Sequence, residues 1–461
     1  RMIINNRSQS PIFLLALMLA GTLYNCTPKA VSTEERFTAS ETTNSPTIEE
    51  DKEEFFEEEA IVYKNLTYKD KIKTVLLYKK GSVLSDPVVR LNSEETLELR
   101  FDELDGDITA YQYKIIHCNA DWTQSGLTDM DYINGFDENY IDNNKYSFNA
   151  YQSYVHYWVE FPNENIQLTK SGNYIIVVYP EGEEQYPVLT QKFYVTENSM
   201  QILPKIKYPA KLDDKYYRQE VDFTLSYDKL KVINPYSNIR VQIEQNHRTD
   251  NACKELIPNF VKEDQLIYNY EEDNVFDGGN EFRFIDISTL KNYTQRVLSI
   301  DDRNSSYKVR LKPDIKRTYK KYLETGDANG RLFIKNIDGF DHNLESDYAY
   351  TTFTIPYSHP LNKGDLYIYG QLTNWEIENA YRLKYDYDAL AYKTEIYLKQ
   401  GVYNYTYLYV SDTAKSADIS LIEGTHFDTE NEYIFKVFYK DPGEFYDRLL
   451  LYYTANSRDN F

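Results

Sequence analysis

Within YKIIHCNADWTQSGL, residues 113–127, His117 and Cys118 are adjacent, Asn119 and Asp121 follow, and Trp122 closes the group. Those residue types suit a thiolate nucleophile with its base, or a metal site. The spacing argues against both. YKIIHC has the composition of a β-strand, whose successive side chains point to opposite faces, so His117 and Cys118 cannot form a dyad. His117 shares its face with Tyr113 and Ile115 and reads as a hydrogen-bonded histidine at a sandwich edge. Cys118 shares its face with Ile116 and reads as a small buried hydrophobe. Zinc would need a second close pair of ligands, and His156, His247, His342, His359 and His426 each stand without a cysteine pair nearby. Asn119 and Asp121 suit a turn, where short polar side chains bond to backbone amides, and Trp122 then folds over the sandwich end. The expectation is turn architecture, with no catalytic, cofactor-binding or metal-binding residue.

A second aromatic group, Asn374 and Trp375, ends the run GDLYIYGQLTNW. With AYKTEIYLKQGVYNYTY it resembles the early-set, glycogen-binding type of sandwich, in which a Trp after an Asn stacks on sugar. A Trp at a strand end is more often core or edge packing, so carbohydrate binding is the alternative function. Acidic pairs such as Glu183–Glu184 arise by chance in so acidic a chain. There is no G-x-S-x-G elbow, P-loop or H-E-x-x-H. An enzyme is not expected.

The elements that must hold these groups are strands. At 461 residues the chain is too long for one core. Its 46 Tyr and 22 Phe suit sheets with an apolar ring inside and a wet hydroxyl outside. The balance of 51 basic to 73 acidic residues gives −22, which makes nucleic acid an unfavourable partner. Short aromatic or β-branched runs closed by Pro, Asn or Gly recur from Ile61 to the end. They predict an all-β protein of three sandwiches, immunoglobulin-like or early-set, over 61–197, 198–346 and 347–461. In VYNYTYLYV, Tyr403, Tyr405, Tyr407 and Tyr409 share one face. DIKRTYKKYLE has the composition of one or two helical turns inside the middle module.

Ahead of the sandwiches, PIFLLALMLAGTL follows Arg1 and Arg7 as an apolar run of signal-peptide length, so 1–26 is read as a signal peptide. LYNC places Cys26 where bacterial lipoproteins carry lipid, although Tyr24 and Asn25 are bulkier than that signal prefers. Lipidation of Cys26 and ordinary cleavage nearby both stand. Residues 27–60, with EEDKEEFFEEE, read as a disordered acidic linker, the alternative being an acidic interaction tail. Cys118 and Cys253 lie far apart, and a disulfide between them is not favoured.

IIHCNADW with YINGF (132–136) resembles the amino-terminal part of the plug protein of the type IX secretion system. SFNAYQSYVHYWVEFPN, SGNYIIVVY, INPYSNIRVQIEQNHRTDNA, GGNEFRFIDI, IEGTHFDTENEY and FYDRLLLYYTANS resemble its later segments in order. The likeness runs from about residue 65 to 458, with local departures at Ala150 and Lys440. It implies a periplasmic, non-enzymatic protein at the inner face of the outer membrane. Its partner would be the type IX translocon barrel, whose pore it closes when no cargo is engaged. No cofactor or small-molecule substrate is implied, and any membrane contact would be a lipid anchor. The Asn119–Leu127 turn with Trp122, and the Tyr-rich third module, are the contact candidates.

Overall fold

The computed structural model describes residues 60–227 and 230–460. The signal peptide, Cys26 and nearly all of the acidic linker lie outside the described residues. Every described strand belongs to the unit Glu57–Phe461.

The fold is all-β, and alternation marks its half-buried strands, while central strands such as Gly172–Pro180 are buried on both faces. In Arg218–Ser226, Val221, Phe223 and Leu225 are buried while Asp222 and Thr224 between them are less so. The first sandwich faces Ile72–Lys79, Leu97–Leu104, Tyr154–Phe161 and Asn143–Tyr146 against a sheet centred on Tyr111–Cys118, Gly172–Pro180 and Leu189–Thr196. Its core includes Phe101 stacked on Tyr157 at 5.0 Å, with Tyr111 edge-on to both rings.

Sheet pairing departs from the expected divisions at 346 and 347. The strands Glu432–Tyr439 and Arg448–Asn456, read from sequence as part of the third module, return to the middle sandwich. Ile239–Gln245 pairs with Glu432–Tyr439 residue by residue, from Ile239 opposite Tyr439 to Gln245 opposite Tyr433. Without them Ile239, Val241 and Ile243 would lose the core they share with Phe435 and Val437. Conversely, strands from Arg283–Asp286 to Leu332–Ile334 join Tyr348–Pro356 through Gly401–Ser411 in one nine-stranded sheet wrapped on a single core. The third sandwich is thus inserted between strands of the middle one. DIKRTYKKYLE forms no helix. Its amides and hydroxyls instead reach a neighbouring segment, as Arg317 N to Ile422 O at 2.7 Å.

Tyrosine also departs from the half-buried reading. The largest fully buried side chains are all Tyr, among them Tyr154, Tyr348, Tyr405 and Tyr407. Many of their hydroxyls are satisfied inside: Tyr405 and Tyr407 both donate to Asp314 Oδ2 at 2.7 Å.

One irregularity positions the joints. The register of Ile72–Lys79 against Leu97–Leu104 jumps between Lys73 and Leu76, and Thr74 there has φ +50°. A β-branched residue rarely adopts that conformation, and the bulge re-aims the rest of the strand. Leu76 packs against the core of the third sandwich, and the Thr74 hydroxyl lies 2.6 Å from that of Tyr348.

Candidate functional site

His117 and Cys118 are both fully buried, on opposite faces of their strand. The His117 ring meets Tyr174 edge-on at 4.7 Å and Tyr446 at 5.4 Å, and one ring nitrogen lies 3.1 Å from Ser171 O. Burial pushes its pKa down to about 4, so it is neutral. Cys118 packs with Ile116, Ile175 and Val177, and burial pushes its thiol up to about 12. Cys118 and Cys253 are both free. Neither His117 nor Cys118 can act on a solute.

The turn after them is a joint. Asp121 accepts from the Thr123 amide at 3.0 Å and from its hydroxyl at 2.6 Å, and Asn119 Nδ2 donates to Thr123 Oγ1 at 3.2 Å. The Ala120 amide donates to Asp447 and its carbonyl accepts from Gln242, both on the middle sandwich. Asp121, Thr123, Gln124 and Gly126 face outward, beside the exposed Phe445.

Trp122 (φ +67°) and Trp375 (φ +61°) both stand in left-handed backbone, unusual for so bulky a residue. They line the same cavity, of about 80 Å³, where all three sandwiches meet. Lys192 lies 4.5 Å over the Trp122 ring, and Tyr194 meets that ring edge-on. Trp375 is stacked on His247 at 4.2 Å, and Gly330, at φ +83°, sits so close that a Cβ there would be 2.8 Å from the indole. Asn374 turns inward with it, its carbonyl accepting from Asn65 Nδ2. Ligand pockets run to about 300–1,000 Å³, so this space holds a few waters and no sugar ring. Trp375 is not an open stacking platform, because its partners are already His247 and Gly330.

Asp86, from the first sandwich, closes that junction. Its carboxylate accepts from Arg331 of the third sandwich at 3.0 Å and from the Tyr452 hydroxyl of the middle one at 3.0 Å. It lies 3.3 Å from His247. Burial pushes the Asp86 carboxyl up, but His247, Arg331 and Tyr452 outweigh it and hold the carboxyl below its ordinary range. Arg331 is shared with Glu432 at 2.7 Å.

A second joint ties the first sandwich to the third through Asp102. It accepts from Lys399 Nζ at 2.5 Å and from the Tyr348 hydroxyl at 2.6 Å, and His156 Nδ1 is 2.6 Å away. The aspartate–histidine pair resembles part of a catalytic relay. All of it is buried, however, and the hydroxyl that reaches it is that of Tyr348, which in turn lies 2.6 Å from Thr74 inside the joint. Its chemistry is cohesion. Sequence reading missed Asp86, Asp102, His247 and Lys399, because their partners lie as far as 297 positions away in the chain. Only the bulge residue Thr74 and the SDP turn at Asp86 mark the neighbourhood, and neither is a signal in isolation.

Among the described residues, no group of three or more His, Cys, Asp or Glu converges as metal ligands. No described helix is long and apolar enough to cross a membrane. Tyr403, Tyr405 and Tyr407 of the third sandwich, offered by sequence as contact surface, are instead buried in its core.

The family described as "Type 9 secretion system plug protein 1st domain" matches residues 72–197, the span of the first sandwich. The chain is also similar to a hypothetical protein from Parabacteroides merdae ATCC 43184, whose crystal structure superposes with a TM-score of 0.83. That relative is 32% identical, and the match covers 86% of this chain and 100% of the other. No curated protein matches.

Proposed function

This chain belongs to the type IX secretion system plug family, and from that membership we propose that it seats against the periplasmic opening of the outer-membrane translocon barrel. There it closes the pore when no cargo is engaged, and it does so without catalysis. The supporting observation is the way the body is locked. Buried carboxylates bridge first to third sandwich at Asp102–Lys399 and all three at Asp86. A stopper for a wide channel needs stiffness and bulk, and a contact of roughly 1,600 Å² would occupy a small part of its surface. The outward residues of the Asn119–Leu127 turn, with neighbouring Phe445, are the proposed contact.

Co-purification of the barrel with the native chain, and its loss on Gly126→Glu with Phe445→Asp, is the expected result. Deletion of the chain should also raise outer-membrane leakage of detergents and large antibiotics. Intact barrier function in the deletion strain would overturn the plugging role.

A further inference from the structure

Residues 421–428 take no part in the joints at Asp86 and Asp102, yet they gather two exposed loops around themselves. On one side the Phe427 amide donates to Tyr216 O at 2.9 Å, and its ring stacks on Tyr208 at 3.9 Å. On the other, Thr318 Oγ1 donates to Leu421 O at 2.6 Å, and the Tyr322 ring lies 5.7 Å from His426. Residues 208–217 of the middle sandwich and 315–323 of the third therefore share one face.

That face combines projecting apolar side chains with cations that lack a carboxylate partner. Leu212 is 81% exposed, Tyr216 66%, Tyr319 93% and Leu323 72%. Lys215, Lys320 and Lys321 form no ion pair among the described residues, although the Lys215 ammonium lies over the Tyr208 and Tyr216 rings at 5.3 and 5.5 Å. Most carboxylates of the same loops are already paired: Asp214 with Lys211 of its own loop and with Arg218, Asp314 in the interior with Arg283 and Arg296, and Glu324 with Arg458. Asp213 and Asp428 remain, and they do not cancel the lysines. A local positive excess on a chain of −22 is a selective feature.

We propose that this face rests on an anionic lipid bilayer. Leu212, Tyr216, Tyr319 and Leu323 would enter the headgroup region, and Lys215, Lys320 and Lys321 would pair with lipid phosphates. Protein–protein contacts are depleted in Lys and enriched in Arg, whereas these three cations without a carboxylate partner are all Lys. Single side chains project instead of lining a groove, which suits a fluid surface. Lysine stems can lie along the acyl boundary with the ammonium in the headgroups.

The test is co-sedimentation of the full-length chain with vesicles of phosphatidylcholine, and of phosphatidylcholine mixed with phosphatidylglycerol. Binding should favour the mixed vesicles and weaken with added salt. Lys215→Glu, Lys320→Glu and Lys321→Glu together should reduce it by at least about fivefold per lysine, while Lys262→Glu with Lys384→Glu should not. Comparison within the full chain removes any contribution of the apolar run at 11–23, which all variants share. Tyr319→Ser with Leu323→Ser is a second, charge-neutral variant and should also release the chain; an unchanged melting temperature excludes misfolding. Equal binding to both vesicle types, or binding by the lysine variant equal to that of the parent, would overturn the proposal. So would a lysine variant that binds vesicles normally but no longer recovers the translocon, since the face would then be a protein contact. Membrane leakage on deletion reads the plug role separately, so the two can fail independently.

Discussion

Asp102 and Asp86 are matched in chemistry and opposed in surroundings. Each is a first-sandwich carboxylate that faces one histidine and one tyrosine hydroxyl and takes a cation from the third sandwich. The Asp102 side chain is 1% exposed and its lysine likewise. Asp86 is 11% exposed and lines both the inner cavity and an open hollow of about 370 Å³. Burial acts on both, yet in each case the neighbouring cations and hydrogen bonds outweigh it and keep the carboxyl ionised. The difference lies in what replaces the carboxylate if it is lost. At the drier joint the carboxylate and ammonium are both closed off, although Lys399 also lines a cavity of about 300 Å³, while at the wetter one the carboxylate itself borders open space.

The largest effect should therefore come from Asp102→Asn. It strands the Lys399 ammonium in the interior and should cost about 3–5 kcal/mol, read as a drop in the urea midpoint followed by fluorescence. A cost near zero would mean that water already reaches Lys399, and the contrast between the joints would vanish.

Acid should come next. His117, His156 and His247 are all held below their ordinary pKa by burial, the last two despite a facing aspartate. For each, the folded chain binds a proton less readily than the unfolded chain. Their stabilising contribution is complete above about pH 6.5 and is lost as the pH falls, through about 4 for His117. Asp327 opposes them. Burial pushes it up to about 7, so its contribution is complete below the ordinary carboxylate range and is lost as pH rises toward 7. His117→Phe keeps the ring among Tyr174 and Tyr446 and removes one titration. The stability gap between pH 7 and pH 4.5 should then shrink by about 2–3 kcal/mol. An unchanged gap would show that His117 does not titrate in this range.

Asp86→Asn should cost less than Asp102→Asn, about 1–2 kcal/mol. Glu432 still holds Arg331, and the cavity supplies water to the rest. Equal costs at the two joints would show that the cavity is not solvating Asp86, and the wet–dry distinction would fall.

The two joints also show where sequence reading stops. Strand rhythm is local, and VDFTLSY announces its buried face through alternation alone. Which strand fills the centre of a sheet is not local. EYIFKVFYK looks like the end of the last module but completes the middle one, because its partner IRVQIEQ lies about 190 positions earlier. The same limit hid the joints, since Asp102 and Lys399 are ordinary charged residues in strands until the fold brings them together. Trp122 and Trp375 were legible as unusual, but not as two walls of one cavity. Tyrosine misled in a physical way: a phenol can be fully buried when a carboxylate such as Asp314 waits for its hydroxyl.

The smallest effect concerns the wet joint itself. If its cavity were a sugar site, Asp86 would border a binding pocket and its solvation would be a matter of ligand, not of water. His247 already occupies a stacking position on Trp375, and the remaining space of about 80 Å³ is far below that of a ligand pocket. The native chain should therefore migrate unretarded through gels containing soluble polysaccharides, and Trp375→Phe should leave that migration unchanged. Retardation abolished by Trp375→Phe would require the joint to open around Trp375. The junction would then be a ligand-gated hinge, and the ranking of the two carboxylates would have to be measured again with sugar bound.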